Sequence, residues 1–150
     1  MEVELVIIDP RLNDWGFPHW GSPMAAGLDL FACLREKLIL SPQADAVLIP
    51  AGFAMRIADP DWAGLIYPRS GQGHKRGLVL GNAVGVVDAD YEGQVMISAW
   101  NRRRYRTIAI APGERIAQMV FTRIVRPHFR VVDLFTGMSR RGRGGFGSTG

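Results

Sequence analysis

Gln94-Val95-Met96-Ile97-Ser98-Ala99-Trp100 decides how the rest of the chain is read. Val95, Ile97 and Ala99 fall on one side at the two-residue period of a strand. Working outward, Val3 to Asp9, Ala46 to Ile57, Gly64 to Tyr67, Gly77 to Val87 and Thr107 to Ala111 are runs rich in Val, Ile and Leu, bounded by Gly, Pro, Asn or Asp. With 18 Gly and 9 Pro in 150 residues, few pieces between breakers are long enough for a three-turn helix. The sequence therefore predicts an all-β domain. Two stretches stay ambiguous: Leu28 to Leu40, and Glu114 to Val125, where Ile116, Met119, Val120 and Ile124 also fit one stripe of a helix. A short helix over Ser70 to Lys75 is weakened by Gly71 and Gly73.

Length and composition bound the function. A chain this long holds one core and hides roughly 68–70% of its unfolded surface. Hydrophobic residues at 47% and charged residues at 21% exclude a disordered, collagen-like or coiled-coil protein. No uncharged apolar run approaches the roughly 18–20 residues that cross a bilayer, and Glu2 and Glu4 sit where a secretory signal carries positive charge. The expectation is a cytoplasmic protein with no membrane partner. Cys33 stands alone, so neither an internal disulfide nor a structural zinc site is expected. Lys plus Arg exceed Asp plus Glu by 18 to 14, with arginines concentrated at Arg102, Arg103, Arg104 and Arg106 and at Arg140, Arg141 and Arg143. Only Tyr105 is interleaved with the first group, which reads as a solvated hairpin tip, and no nucleic-acid partner is expected. From Thr136 the character changes: six glycines and three arginines accompany only Met138 and Phe146 as larger apolar groups. The expected organisation is a β-domain over 1–135 and a flexible glycine-rich arm over 136–150, whose N–H groups, arginines and hydroxyls suit an anion.

Four clusters could carry chemistry. Tyr67-Pro68-Arg69-Ser70-Gly71-Gln72-Gly73-His74-Lys75-Arg76-Gly77 is a glycine-rich turn with cations and a hydroxyl, suited to phosphate but neither a Walker nor a Rossmann pattern. Gly81 to Gly93 reads as a hairpin ending in acids, offering Asn82 to a base edge, Tyr91 as a flat surface and Asp88 as a carboxylate that could deprotonate water. Asp29 stands in the apolar stretch Ala25-Ala26-Gly27-Leu28-Asp29-Leu30, where a lone charge is costly, so it requires a partner. Arg115 and Gln118 lie three apart after a turn and would face opposite sides of a strand.

Taken in order, Ala26-Gly27-Leu28-Asp29-Leu30, Pro68-Arg69-Ser70-Gly71, Gly85 to Asp88 with Tyr91 and Gly93, Pro112 to Gln118, and Arg141 to Gly150 resemble the homotrimeric, all-β family of deoxyuridine triphosphatases over residues 3–150. The resemblance implies a twisted antiparallel jelly-roll-like β-barrel of the β-clip type, with three copies sharing their active sites. It implies strand rather than helix at Glu114 to Val125. The implied reaction is hydrolysis of dUTP to dUMP and pyrophosphate by water attack on the α-phosphorus, with Mg2+ held mainly by the triphosphate. By resemblance, Asp88 activates the water, Gln118 helps hold it, and Ser70 donates to the departing oxygen. Arg69 and Gly71 belong to the phosphate turn, and Asn82, Tyr91 and Met96 to the nucleoside pocket. Arg141, Gly147, Ser148 and Thr149 form the arm's phosphate grip, Phe146 lies over uracil, and Asp29 contacts metal-bound water. Met24 and Arg143 depart from the family's usual residues, and neither removes a functional group.

Two other readings compete. A dCTP deaminase resembles this family in fold and in its Arg-Ser turn but needs a general-base glutamate, where this chain has Val86-Val87-Asp88-Ala89-Asp90-Tyr91. A non-catalytic nucleotide-binding module would need neither Asp88 nor the complete arm.

Overall fold

In the computed structural model, residues 1–137 are described. Arg141, Phe146, Gly147, Ser148 and Thr149 lie outside them. The strands are β1 (Glu4–Ile7), β2 (Leu28–Phe31), β3 (Leu38–Leu40), β4 (Val47–Arg56), β5 (Trp62–Pro68), β6 (Leu78–Leu80), β7 (Gly85–Val87), β8 (Gln94–Asn101), β9 (Ile108–Ile110) and β10 (Arg115–Arg123). Two four-stranded sheets, in orders β1-β4-β8-β6 and β2-β10-β5-β7, are joined by a two-stranded sheet, β3-β9. Every pairing is antiparallel. The all-β antiparallel architecture is the one expected.

Successive strands never share a sheet: the chain changes sheet at each step from β1 to β10. This wrapping encloses a single core in which Leu30, Ile49, Phe53, Val95, Ile97, Ile110 and Met119 are at most 1% exposed. Along β8, Val95, Ile97 and Ala99 face inward while Met96 and Trp100 face out, the alternation read from the sequence. The same wrapping corrects two expectations. Gly81 to Gly93 is no hairpin: β6 pairs with β8 and β7 with β5, so residues 81–84 carry the chain from one sheet to the other. Nor is Arg102 to Arg106 a solvated hairpin tip, because it joins β8 to β9 across two sheets. Arg102 Nη2 donates to Gly73 O at 3.0 Å and Arg103 Nε to Arg76 O at 3.1 Å. These guanidiniums satisfy carbonyls of the turn that follows the Arg-Ser pair. That turn closes as one π-helical turn, Gln72–Arg76, where Gly77 supplies a left-handed φ of 85°.

Helix α1 (Arg11–Asp14) escaped the sequence reading because only one of its residues, Leu12, enters the core. The Asp9 carboxylate fixes its start by accepting the Arg11 backbone N–H at 3.1 Å. The Arg11 side chain also binds Asp9 and holds that carboxyl below its ordinary range.

Candidate active site

Two strand ends and a loop build one cavity of 670 Å³. β5 runs out at Pro68 directly into Arg69, Ser70 and Gly71, and β10 lies beside it with Gln118 opposite Tyr67. On β10's other flank Gln118 faces Asp29 of β2. Gln118 Nε2 donates to Pro68 O at 3.1 Å, which aims its amide across the phosphate turn. The loop before β2 closes the wall with Ala25, Ala26 and Gly27. Gly27 is required there, since a Cβ would come within 2.4 Å of Gln118 Oε1. Ser70 is exposed at the mouth.

Asp29 has the partners its burial demands. Only 4% exposed, its carboxylate accepts Arg69 Nε at 2.7 Å, Arg115 Nη1 at 3.1 Å and His19 Nδ1 at 3.0 Å. Arg115 and Gln118 thus serve the same wall, although three residues on a regular strand separate faces. The cause is a bulge between Arg115 and Ala117, visible as the consecutive buried residues Ile116 and Ala117.

The second set of expected residues lines a separate cavity of 170 Å³: Asn82, Asp88, Tyr91 and Met96, with Ile66 and Val86. Asn82 sits on the crossover turn rather than in a hairpin, and Asp88 follows β7 directly. The Tyr91 N–H donates to Asp88 O at 3.2 Å, closing the turn, and its phenol donates to Gln94 O at 2.9 Å. Gly93 leaves room for that phenol, because a Cβ would lie 2.5 Å from its oxygen. The Asp88 side chain is exposed and accepts no hydrogen bond among the described residues.

Strand register separates these cavities. In the antiparallel β5–β7 pair Gly64 lies opposite Val87 and Ile66 opposite Gly85. Asp88 therefore falls near the level of Ala63, five positions before β5 ends at Pro68 and gives way to Arg69 and Ser70. At about 3.3 Å per residue that is roughly 17 Å of strand within one chain. Asp88 and Gln118, expected to act on one water, open on different cavities of the same chain.

Sequence reading passed over His19, Gln72 and Arg76. Gln72 Nε2 donates to Arg115 O at 3.3 Å, and Arg76 pairs with Glu114, so both tie the turn to β10. Polar side chains recurring in the glycine-rich turn were the available signal; for His19 there was none. The residues present do not fit a directly bound Mg2+. The Asp29 carboxylate is taken up by three nitrogen donors, and among the described residues no three His, Cys, Asp or Glu side chains group as a cation site. Among the described residues no helix is long and apolar enough to cross a membrane.

Comparison with known proteins identifies the family. The dUTPase family model matches residues 13–150. Deoxyuridine 5'-triphosphate nucleotidohydrolases of Methylococcus capsulatus and Tolumonas auensis are 53% and 51% identical over 150 residues, covering 99% of this chain and 97% of theirs. The structure of Staphylococcus bacteriophage 80alpha dUTPase with dUpNHpp matches with a TM-score of 0.86 at 27% identity, over 99% of this chain and 98% of that one. A mutant dUTPase of phage phi11 of S. aureus, studied for its coordination of a structural Mg(II) ion, matches with a TM-score of 0.77 at 24% identity over 91% of this chain and 100% of that one. Half the residues identical along nearly the whole chain is more than a shared architecture requires: the chain belongs to the dUTPase family.

Proposed function

We propose that this chain hydrolyses dUTP to dUMP and pyrophosphate, which limits uracil in DNA and supplies dUMP for dTMP synthesis. The observation that carries the reading is the 670 Å³ cavity in which Ser70, Gly71 and Gln118 converge with the Arg69 guanidinium, anchored on Asp29. Such a wall suits a polyphosphate. The smaller cavity, with Asn82 for a base edge and Tyr91 as a flat face, suits a deoxynucleoside.

In the reaction, the Asp88 carboxylate takes a proton from water as its oxygen bonds to the α-phosphorus. The bond from that phosphorus to the bridging oxygen breaks, and pyrophosphate leaves. Gln118 holds the water in line, and the Ser70 hydroxyl donates to the bridging oxygen as charge collects there. Mg2+, when bound, neutralises charge on the triphosphate whose oxygens hold it; no described residue of the chain is assigned to it. Tyr91 packs on the deoxyribose and leaves a ribose 2′-hydroxyl without a partner. An unsatisfied polar group costs about 1–3 kcal/mol, a tenfold to hundredfold preference for the deoxy sugar. Thymine's 5-methyl group would meet the close wall of the nucleoside cavity, which also carries Met96.

The active unit is a homotrimer with shared sites. Roughly 17 Å of paired strand between the Asp88 end and the Arg-Ser end is too far for both to touch one α-phosphorus, so each meets the other's counterpart on a second copy. Val125, Phe129, Val131, Leu134 and Phe135 are 82–97% exposed, an apolar segment of the kind that packs against a neighbouring subunit. The arm at 136–150 closes over the phosphates through Arg141, Gly147, Ser148 and Thr149, with Phe146 over the uracil. The protein acts in the cytoplasm.

The decisive test offers dUTP, dCTP, dTTP and UTP with Mg2+ and identifies products. Pyrophosphate and dUMP from dUTP alone are expected. Ammonia from dCTP would make the chain a deaminase, and tight dUTP binding without turnover would make it a binding module.

A further inference from the structure

His19 belongs to none of the motifs singled out in the sequence, yet it completes the charge cluster behind the phosphate turn. Its backbone is fixed first: the Asp29 N–H donates to His19 O at 2.9 Å, and Trp20 bridges Leu28 in antiparallel register. The imidazole is thereby laid against the Asp29 carboxylate, Nδ1 to Oδ2 at 3.0 Å, with Arg115 Nη1 3.3 Å from each ring nitrogen. With the proton on Nδ1, the ring donates to Asp29, while Arg115 Nη1, equidistant from the two ring nitrogens, packs against the imidazole and donates to Asp29 Oδ2 at 3.1 Å.

Asp29 in turn stands between two cations. It accepts Arg69 through Nε at 2.7 Å, whereas the Arg69 Nη groups make only long contacts, 3.4 Å to Arg115 O and 3.5 Å to Asp29 Oδ2. The guanidinium is held by its stem side and keeps its outer donors for a ligand. Without the carboxylate, Arg69 and Arg115 would repel each other, and each long side chain would lose its rotamer freedom only on binding. One negative charge between two guanidiniums leaves the wall net positive and already ordered.

We infer that His19 is a positioning residue for the polyphosphate grip: through Asp29 it holds the Arg69 guanidinium on the cavity wall, with Arg115 braced against the same carboxylate from behind. Asp29 acts here as the anchor of those cations. This rests on the proposed function, but its anion-binding part can be read without turnover.

The test uses the full chain and two variants, His19→Ala and His19→Asn; asparagine places an N–H near the position of Nδ1. Affinities for inorganic pyrophosphate, dUpNHpp and deoxyuridine are measured by calorimetry in EDTA, and kcat and KM for dUTP with the Mg2+ half-saturation alongside. His19→Ala should weaken pyrophosphate and dUpNHpp about tenfold, the scale of losing a hydrogen bond to a charged group. KM should rise likewise, while deoxyuridine affinity and the Mg2+ half-saturation stay unchanged. His19→Asn should recover most of the loss. Unchanged metal-free affinity in His19→Ala overturns the inference, as does a shifted Mg2+ half-saturation, which would return Asp29 to the metal. Equal loss of deoxyuridine binding in both variants also overturns it, in favour of a general structural role. Were wild-type turnover of dUTP absent, the proposed function would fail while the pyrophosphate arm still read the grip.

Discussion

Replacing Gly27 by alanine separates activity from stability in a way the site geometry sets. The new Cβ would lie 2.4 Å from Gln118 Oε1 and 3.1 Å from its Cδ. Ordinary contact begins near 3.4 Å, so the amide must retreat by about 1 Å. Retreat breaks the Gln118 Nε2 bond to Pro68 O, worth about 0.5–1.5 kcal/mol. Alanine restricts the unfolded chain and returns about 0.4–1 kcal/mol, and Gly27 has no left-handed backbone to strain. The two nearly cancel, so the melting temperature should move little. A misplacement of about 1 Å in a group that holds the nucleophile costs on the order of 10²-fold in rate. The assay is kcat for dUTP beside a thermal melt, repeated for Gln118→Ala and the double variant. Because the alanine acts through Gln118, the double variant should be no slower than Gln118→Ala alone. A rate within about threefold of wild type, or losses that multiply in the double variant, would refute the reasoning.

Asp88→Asn should keep dUpNHpp binding and lose about 10²–10⁴-fold in turnover, since a positioned base contributes that much; near-normal rates would remove Asp88 from the reaction. Mixing refolded Asp88→Asn and Ser70→Ala subunits should restore part of the activity that each lacks alone, and no recovery in mixed oligomers would count against shared sites. Ending the chain at Thr136 should leave the melt unchanged and abolish most turnover; unfolding instead would make the arm part of the core. Burial, and after it the charge of Asp9, push the Cys33 thiol up to about 12 from an ordinary 9.0. The native state thus holds this proton more tightly, so its stability contribution is complete below pH 9 and is lost as pH rises toward 12. The loss is up to about 1.4 kcal/mol per pH unit. Melting temperature should fall more steeply above pH 9 in wild type than in Cys33→Ala, and parallel slopes would contradict the shift.

Legibility followed the kind of information each feature needs. Strand type in β8 was plain because one face is buried and the period is local. The hairpin at Gly81 to Gly93 was misread because turn chemistry marks where a strand ends but not which sheet takes up the next one. Arg115 was placed on the wrong face because a bulge changes the period by one residue and leaves only Ile116-Ala117 as its trace. The need of Asp29 for a partner was readable from the cost of a buried charge, whereas His19 and Arg115 as partners depend on a bridge between distant segments. The Arg-Ser turn and the Asp88 turn were found by composition, but their separation lies in the β5–β7 register, which composition does not carry.

That register also links association to catalysis. Arg69 and Asp88 follow the carboxyl ends of β5 and β7, and antiparallel pairing sends those ends in opposite directions. No loop movement of ordinary size spans the resulting gap of roughly 17 Å while β5 and β7 stay paired. Each half of the site can therefore be rigid, held by its own strands, without the whole being formed in an isolated chain. In the proposed trimer, completion falls to a contact between subunits, for which the exposed apolar segment ending at Phe135 offers a surface. Under mass action, turnover in the proposed trimer should then fall on dilution before the fold itself is lost, because the core of each chain lies within its own sheets.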